Sequence, residues 1–152
     1  MDMREDTGST DEKYMKEAIR EAFKAYDAGE VPVGAVVVCS GNIVARAHNL
    51  TETLGDVTAH AEMQAITAAA NYLGGKYLDQ CTLYVSLEPC VMCAGALFWS
   101  QAGRLVYAAG DEKRGYSLVG RKLLHPKTRV TKGVMSAESS RLLKEFFSER
   151  RK

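Results

Sequence analysis

Residues 81–93 read CTLYVSLEPCVMC, a β-rich apolar run that leads directly into Pro89 and Cys90. A run of this kind predicts a buried strand over residues 81–87. Proline is common where a chain begins a helix, so we predict a helix from residue 91 to about residue 100. Cys90 and Cys93 lie three residues apart, about one helical turn, so both sulfur atoms can point at one metal ion. We expect the positive end of that helix to help keep both side chains as thiolates.

An upstream stretch, Thr58-Ala59-His60-Ala61-Glu62, adds a histidine and a carboxylate. His60, Cys90 and Cys93 are ligand types that zinc prefers, and three protein ligands leave a position open for water, as in catalytic zinc sites. Glu62 follows His60 by two residues, so we place it beside that water and not on the metal. Zinc lowers the pKa of bound water to about 7, and Glu62 can then take a proton and pass it to a leaving group.

Two other interpretations of these residues are open from the sequence. A purely structural zinc would need a fourth protein ligand and would leave Glu62 without a role. The candidates for that fourth ligand are Cys39, Cys81, His48 and His125. Alternatively, Cys90 and Cys93 could form a redox-active pair, which would leave both His60 and Glu62 unexplained. The combined pattern favours a catalytic metal centre.

Length and composition indicate one globular domain. The chain has 152 residues, of which 46% are hydrophobic and 26% charged. No apolar run approaches the roughly 18 residues of a membrane span, and the acidic N-terminus has no apolar signal segment, so we expect a cytoplasmic protein without membrane contact. We expect residues 1–9 to be a disordered lead-in and residues 10–152 to form one domain. Cys39 and Cys81 lie within or beside apolar runs, and we predict that both are buried reduced thiols.

Charge is distributed unevenly along the chain. Residues 1–93 contain 7 Lys/Arg and 14 Asp/Glu, whereas residues 94–152 contain 13 Lys/Arg and 5 Asp/Glu. Residues 113–132 alone contain seven basic side chains and no acidic one. This asymmetry predicts a basic surface that faces a polyanion. A set of solvated lysines and arginines without a partner would explain the charge equally well.

Hydrophobic spacing predicts the remaining elements. Helices are predicted from Ser9 or Thr10 to Gly29, over residues 59–71 and over residues 136–152, and further strands over residues 35–39, 43–48, 104–109 and 129–131. Residues 51–58 and 112–126 are predicted to be irregular, the second segment with room for one short helix.

The arrangement of these elements gives the fold class. A hairpin and a leading helix precede two helices that carry the motif residues, and these flank a strand. The prediction is an α/β fold, with three α/β/α layers around a central mixed five-stranded sheet. Within it, helix 59–71 should bury Met63, Ile66 and Ala70. Helix 91–100 is apolar on nearly all sides, so one side should face the sheet and another can face a second subunit.

The two motif pieces together resemble the signature of the zinc-dependent cytidine and adenosine-type deaminases. Beyond the motif, the chain is similar to the bacterial tRNA adenosine deaminases over most of its length. The stretches that carry this resemblance are residues 30–36, Asn49, residues 58–62, residues 82–96 and Phe146-Phe147 with the basic residues that follow.

The resemblance implies a cytidine deaminase-like fold, one Zn²⁺ per subunit and conversion of adenosine to inosine at the wobble position of a tRNA anticodon by a homodimer. The partner would be the tRNA anticodon stem-loop, with the wobble base flipped into the pocket. The substrate contacts carried over by position are Asn49 on the flipped base, Val31, Ala61 and Leu87 in its pocket, Asp111 beside the neighbouring nucleotide, and Phe147 and Arg150 on the anticodon loop. Without the resemblance, Asn49 and Asp111 would be interpreted as turn residues.

The chain departs from the family pattern between Asp111 and Val134, where the glycine- and alanine-rich loop expected after the aspartate is shortened to residues 112–118. A free nucleobase or nucleoside deaminase of the guanine or cytosine type is therefore an alternative, although a small neutral substrate needs no basic surface. A zinc-stabilised RNA-binding module without catalysis is an alternative from another class. Such a module would tolerate replacement of Glu62 by alanine, whereas an enzyme would not.

Overall fold

The computed structural model describes residues 6–150, and within that range it contains one five-stranded sheet. The strands are β1 (Gly34–Cys39), β2 (Asn42–His48), β3 (Cys81–Leu87), β4 (Arg104–Ala109) and β5 (Arg129–Lys132). They lie in the order β2-β1-β3-β4-β5. β1 runs antiparallel to β2 and β3, whereas β4 runs parallel to β3 and β5. The predicted mixed five-stranded sheet is confirmed.

Helices cover both faces of the sheet. They are α1 (Asp6–Asp27), α2 (Thr51–Leu54), α3 (Ala61–Leu73), α4 (Val91–Trp99) and α5 (Ser136–Arg150), with short 3-10 helices at Tyr116–Leu118 and Arg121–Leu123. α1 and α5 pack on one face, and α3 and α4 pack on the other. The three-layer α/β/α prediction is therefore confirmed. None of the described helices is both long enough and apolar enough to cross a membrane.

The sheet is buried on both faces, which explains the unbroken apolar runs in its central strands. Val36, Tyr84 and Val106 face α1, whereas Val37 and Val85 face the α3 and α4 layer. Every residue of β1 is buried. Sheets covered on two sides require such continuous runs instead of a simple apolar–polar alternation.

Gly34 sets how closely α1 approaches the sheet. A Cβ atom at this position would lie 2.0 Å from the Ala18 carbonyl oxygen and 2.4 Å from the Ala22 nitrogen. The Gly34 N–H donates a hydrogen bond to Ser86 Oγ at 3.0 Å. A larger residue would therefore push α1 away from the start of β1.

Some predicted boundaries were wrong. α1 begins at Asp6, so residues 6–9 are helical and are not part of a disordered lead-in. Residues 1–5 and 151–152 lie outside the described residues, and with them the rest of the predicted lead-in and the last two residues of the predicted C-terminal helix. The predicted loop at 51–58 contains α2, and the segment at 112–126 contains two 3-10 helices instead of one short helix.

The buried face of α3 differs from the predicted face. α3 buries Ala61, Glu62, Ala65 and Ala69. The predicted core residues Met63, Ile66 and Ala70 are only half-buried. The reason is that α3 packs directly against β1 and β2, an approach that small side chains allow better than Met63 and Ile66 do. Small alanines on that side let the helix lie close to the strands.

Cys39 and Cys81 correct another prediction, because the structure joins them in a disulfide whereas the sequence predicted two reduced thiols. They lie directly opposite each other on antiparallel strands β1 and β3. Their Cα atoms are 4.6 Å apart, within the range of about 4.4 to 6.8 Å that disulfides span. Strand register, which composition does not reveal, brings them together.

A buried ion pair ties α1 to three strands. The Asp11 carboxylate accepts two hydrogen bonds from the Arg104 guanidinium, both at 2.7 Å, and one from the Tyr84 hydroxyl at 2.8 Å. Arg104 also donates to Thr131 Oγ1 at 2.8 Å. The hydrogen bond to Asp11 raises the pKa of Arg104. One carboxylate therefore links α1 to β3, β4 and, through Arg104, β5.

Replacing Asp11 by alanine is expected to lower the free energy of unfolding by about 3 kcal/mol, because it leaves Arg104 largely buried without its counter-ion. Equilibrium urea denaturation measures this change. The control is Arg20→Ala, which removes an exposed pair with Glu17 at 3.2 Å and should cost less than about 1 kcal/mol. Equal losses in the two variants would contradict the role given to Asp11.

Candidate active site

The site forms where two helices begin near the end of β3. His60 directly precedes α3 and Cys90 directly precedes α4, each with an extended backbone. Cys93 lies in the first turn of α4 and is fully buried. His60 Nδ1 lies 3.7 Å from Cys90 Sγ and 3.6 Å from Cys93 Sγ. The three predicted metal ligands therefore converge, and their donor atoms all lie within 4.8 Å of one another.

The two cysteines differ in protonation because they share a hydrogen bond. The hydrogen bond with Cys93, together with His60, lowers the pKa of Cys90 to about 4 although burial raises it. The same bond to Cys90, then burial, raises the pKa of Cys93. The hydrogen bond with Cys90 raises the pKa of His60. The lowered pKa favours the thiolate form of Cys90, and a bound cation would replace the protons of the Cys93 thiol and of His60.

Glu62 lies in the first turn of α3 and lines the same cavity. Its side chain is buried, and burial raises its pKa to about 7 although His60 and the Cys93 thiol act to lower it. A carboxyl group whose pKa lies near neutrality can both accept and return a proton. The position and chemistry of Glu62 suit an acid–base role beside the three ligands.

The cavity above these residues has a volume of about 530 Å³. Five of the seven predicted substrate contacts line it, namely Val31, Asn49, Ala61, Leu87 and Asp111. The other two lie outside it, at the end of α5. Phe147 is 45% exposed there, and the Arg150 guanidinium lies 4.7 Å above the Phe146 ring and donates to the Gly29 carbonyl.

Asn49 is held at the cavity wall by backbone groups. Its amide nitrogen donates to the Val31 carbonyl at 3.4 Å, and its amide oxygen accepts the Thr51 N–H at 3.3 Å. The Gln64 amide donates to the carbonyls of His48 at 2.8 Å and Ala59 at 3.1 Å. These contacts join the end of β2 to the start of α3, so they fix the position of Asn49 relative to His60.

Glu88 is a site residue that the sequence analysis missed. It is buried, and one of its oxygens accepts the Asp111 N–H at 3.1 Å. The other oxygen accepts the Ser117 N–H at 3.0 Å and the Ser117 hydroxyl at 2.7 Å. A Cβ atom at Gly115 would lie 2.2 Å from that second oxygen. The signal in the sequence was a carboxylate at the end of an apolar strand, directly before Pro89.

Glu30, like Glu88, is a buried carboxylate that holds a backbone segment beside the cavity. It is fully buried and accepts the N–H groups of Glu52 at 3.0 Å and Thr53 at 2.6 Å, and the Thr53 hydroxyl at 2.7 Å. Burial acts to raise its pKa, but these hydrogen bonds outweigh burial and lower it. Glu30 therefore stabilises the start of α2, where Thr51 lines the cavity. Other lining residues that the sequence analysis did not name are Val33, Val91, Met92 and Arg114.

The donor set fits a catalytic zinc ion. One imidazole nitrogen and two sulfur atoms supply three ligands and leave a side open toward the cavity and Glu62. The residues considered for a fourth ligand are engaged elsewhere. Cys39 and Cys81 are paired with each other, His48 Nδ1 lies 3.2 Å from a Glu21 oxygen, and the His125 ring packs 5.7 Å from the Phe98 ring. These contacts disfavour a four-ligand structural site.

Comparisons with known proteins agree with this geometry. Residues 8–109 match the family described as the cytidine and deoxycytidylate deaminase zinc-binding region. A tRNA-specific adenosine deaminase of Bacillus subtilis (strain 168) is 48% identical over 147 residues, which cover 93% of this chain and 91% of that protein. The relative from Aquifex aeolicus (strain VF5) is also a tRNA-specific adenosine deaminase. It is 43% identical over 145 residues, which cover 92% of this chain and 95% of that protein.

Solved structures give the same fold. A structure from a study of tRNA:A34 deaminases that edit adenosine to inosine at the wobble position has a TM-score of 0.80 and 39% identity, covering 86% of this chain and 99% of that chain. A guanine deaminase from Nitrosomonas europaea has a TM-score of 0.78 and 27% identity, and the match covers 90% of this chain and 84% of that chain. The chain therefore belongs to the zinc-binding cytidine and deoxycytidylate deaminase family, in the branch that contains the tRNA-specific adenosine deaminases.

Proposed function

We propose that this protein converts adenosine to inosine at the wobble position of a tRNA anticodon by hydrolytic deamination. The observation that carries the proposal is the buried Glu62 beside His60, Cys90 and Cys93 on a cavity of about 530 Å³. Cavities of about 300 to 1,000 Å³ hold small organic groups such as a nucleobase. The relatives named above support the choice of tRNA. Because the relatives named above are bacterial tRNA-modifying enzymes, we place the protein in the cytoplasm.

The chain's own residues account for the proton transfers. A zinc ion held by His60, Cys90 and Cys93 would supply the Lewis acidity that makes water a nucleophile at neutral pH. Glu62 accepts a proton from the attacking water and delivers it to the amino group on C6 of adenine, which leaves as ammonia. The buried position of Glu62 beside the three ligands and on the cavity suits it to both transfers.

The cavity wall would position the base. The Asn49 amide offers a donor and an acceptor to its edge, while Val31, Ala61 and Leu87 offer apolar contact to its faces. A base stacked on its neighbours cannot present its edge and both faces to these residues, so the wobble nucleotide must be flipped out of the loop. Asp111 lies at the cavity wall, where the neighbouring nucleotide would pass.

A basic surface would bind the rest of the anticodon stem-loop. The seven basic side chains of residues 113–132 are all exposed, and those of Arg129 and Lys132 lie on the edge strand β5. The Arg121 guanidinium donates to the carbonyls of His125 and Thr128, so it also stabilises this segment. Phe147 and Arg150 at the end of α5 would contact the anticodon loop.

We infer one zinc ion per subunit, and replacing a ligand tests this. His60→Ala should lower the zinc content of the purified protein from about one ion per chain to nearly none, because two thiolates alone leave the site incomplete. Atomic absorption measures the content. His48→Ala is the matched control. His48, at the end of β2, pairs with Glu21 of α1, so its replacement should leave zinc in place. Zinc loss in the His48 variant alone would overturn the assignment.

Replacing Glu62 by alanine tests the catalytic role. Inosine formation in a tRNA with adenosine at the wobble position should fall by at least about 100-fold, because the general acid–base group is lost. Zinc content should stay unchanged, which separates catalysis from metal binding. Sequencing of the reacted tRNA measures inosine. A variant that retains full turnover would rule out the enzyme interpretation of Glu62 and favour a non-catalytic RNA-binding module.

The same preparation distinguishes the alternative substrate class. The fold likeness to a guanine deaminase makes ammonia release from free guanine, cytosine, cytidine and adenosine the necessary parallel assay. Inosine in tRNA without ammonia from free bases supports the proposal. Ammonia from a free base without any inosine in tRNA would support the zinc-dependent deamination and would show that the substrate is a free base and not tRNA.

We also propose that the protein is a homodimer through the α4 face, which we define as Val91, Trp99, Leu118 and Val119. These side chains are 48%, 77%, 60% and 67% exposed. Gly115 forms a bridge to Cys90, so the segment that carries Leu118 and Val119 is held beside the start of α4. Large exposed apolar side chains on α4 and in the segment beside its start favour burial against a second copy over contact with water.

Trp99→Glu should shift the protein from dimer to monomer, because it would bury a charge without a partner in the interface. Sedimentation velocity at micromolar concentration measures the change. Phe23→Glu is the matched control: Phe23 is 52% exposed on α1, in the opposite layer, and its replacement should leave the dimer intact. A monomeric wild type, or a dimer that survives Trp99→Glu, would contradict the proposed interface.

A further inference from the structure

We propose that Arg114 binds a phosphodiester group next to the adenosine that enters the cavity. This inference rests on the proposed function, because only a nucleic acid substrate carries such a group. It assigns a substrate contact to the loop at residues 112–118.

The position of Arg114 provides the first argument. Within the described part of the chain, Arg114 is the one permanently cationic side chain that lines the cavity. The same lining contains the carboxylates Glu62, Glu88 and Asp111. An RNA strand that delivers a base to these acidic groups brings phosphates close to them. A guanidinium at the mouth offsets that repulsion, and its planar fork matches two phosphate oxygens.

The loop that carries Arg114 is fixed relative to the site, which provides the second argument. The Asp111 carboxylate accepts the N–H groups of Lys113 and Arg114, both at 3.0 Å. Glu88 binds the two ends of the loop through Asp111 and Ser117. The Arg114 backbone therefore keeps a constant place at the rim and requires little ordering when RNA binds.

The same loop is attached directly to the corner that carries a metal ligand. Gly115 forms an antiparallel bridge to Cys90, and the Tyr116 N–H donates to the Pro89 carbonyl at 2.9 Å. Arg114 thus stands at a fixed distance from the place where the base reacts.

The Arg114 guanidinium is available for a ligand. Its side chain is exposed, and within residues 6–150 the ion pairs involve other cations, namely Arg20, Lys24, Arg46, His48 and Arg104. A free nucleobase carries no phosphate and would not use this cation. The cation therefore favours a base that arrives as part of a polynucleotide.

The test pairs a charge removal in the protein with a charge removal in the RNA. Anticodon stem-loops are made with a single neutral methylphosphonate linkage at each position around the target adenosine. KM and kcat for inosine formation are measured with zinc-loaded wild type and with Arg114→Ala. The variant should raise KM about 5- to 20-fold on the unmodified stem-loop and change kcat little, since it removes one charge-assisted contact away from the reacting atoms.

The diagnostic result is non-additivity at one linkage. A neutral linkage adjacent to the target adenosine should raise KM for the wild type by a similar factor and have no further effect in Arg114→Ala. Arg114→Lys, which keeps the charge but loses the fork, should give an intermediate KM. If the KM increase from Arg114→Ala and the KM increase from the neutral linkage multiply at every linkage adjacent to the target adenosine, the proposal is overturned.

Lys113→Ala is the matched comparison on the same loop. The cavity lining that the structure describes includes Arg114 but not Lys113. Lys113→Ala should weaken binding through general electrostatics, and its effect should multiply with that of a neutral linkage beside the target. Coupling of that linkage to Lys113 instead of Arg114 would reject the assignment. Failure of the proposed function would appear differently, as a wild type that forms no inosine in the unmodified stem-loop.

Discussion

The structure depends on bringing the first turns of α3 and α4 together at one point. His60 and Cys90 each occupy the residue before a helix, so the two positive helix ends face the same small volume. That arrangement stabilises a thiolate and prepares three ligands for a cation. It is possible only because β1, β2, β3 and β4 present their connecting segments at the same edge of the sheet. Gly34 contributes by letting α1 lie against the strand that begins at that edge.

Two buried carboxylates hold in place the backbone segments that form the walls of the cavity. Glu30 binds the backbone at the start of α2, and Glu88 binds both ends of the loop from Asp111 to Ser117. Each carboxylate is buried without a lysine or arginine partner among its hydrogen bonds and is stabilised by N–H and hydroxyl donors. Hydrogen bonds to a charged group are stronger than those between neutral groups and hold irregular backbone in one geometry. The side chains at these walls can therefore meet a substrate without large rearrangement.

The sequence predicted the parts of the molecule that local pattern determines. The bounds of β3 and β4 were correct because continuous apolar runs mark buried strands. The approach of Cys90 and Cys93 to one point was expected because three residues span about one helical turn. The parts it did not predict depend on tertiary geometry. The Cys39–Cys81 pair follows from strand register, the alanine face of α3 follows from its packing on β1 and β2, and α2 is stabilised by the distant Glu30. Glu88 and Arg114 were missed because their importance lies in a loop conformation that leaves no periodic signal.

Fold alone does not decide the substrate in this family. A tRNA:A34 deaminase and a guanine deaminase superpose on this chain about equally well, with TM-scores of 0.80 and 0.78. The chemistry at His60, Glu62, Cys90 and Cys93 suits either, since both reactions replace an amino group on a purine carbon with oxygen from water. Discrimination must therefore come from the walls and rim, which connecting segments build on a shared scaffold. In this protein those segments include the basic residues 113–132, and a neutral purine gains nothing from them, whereas a polynucleotide does.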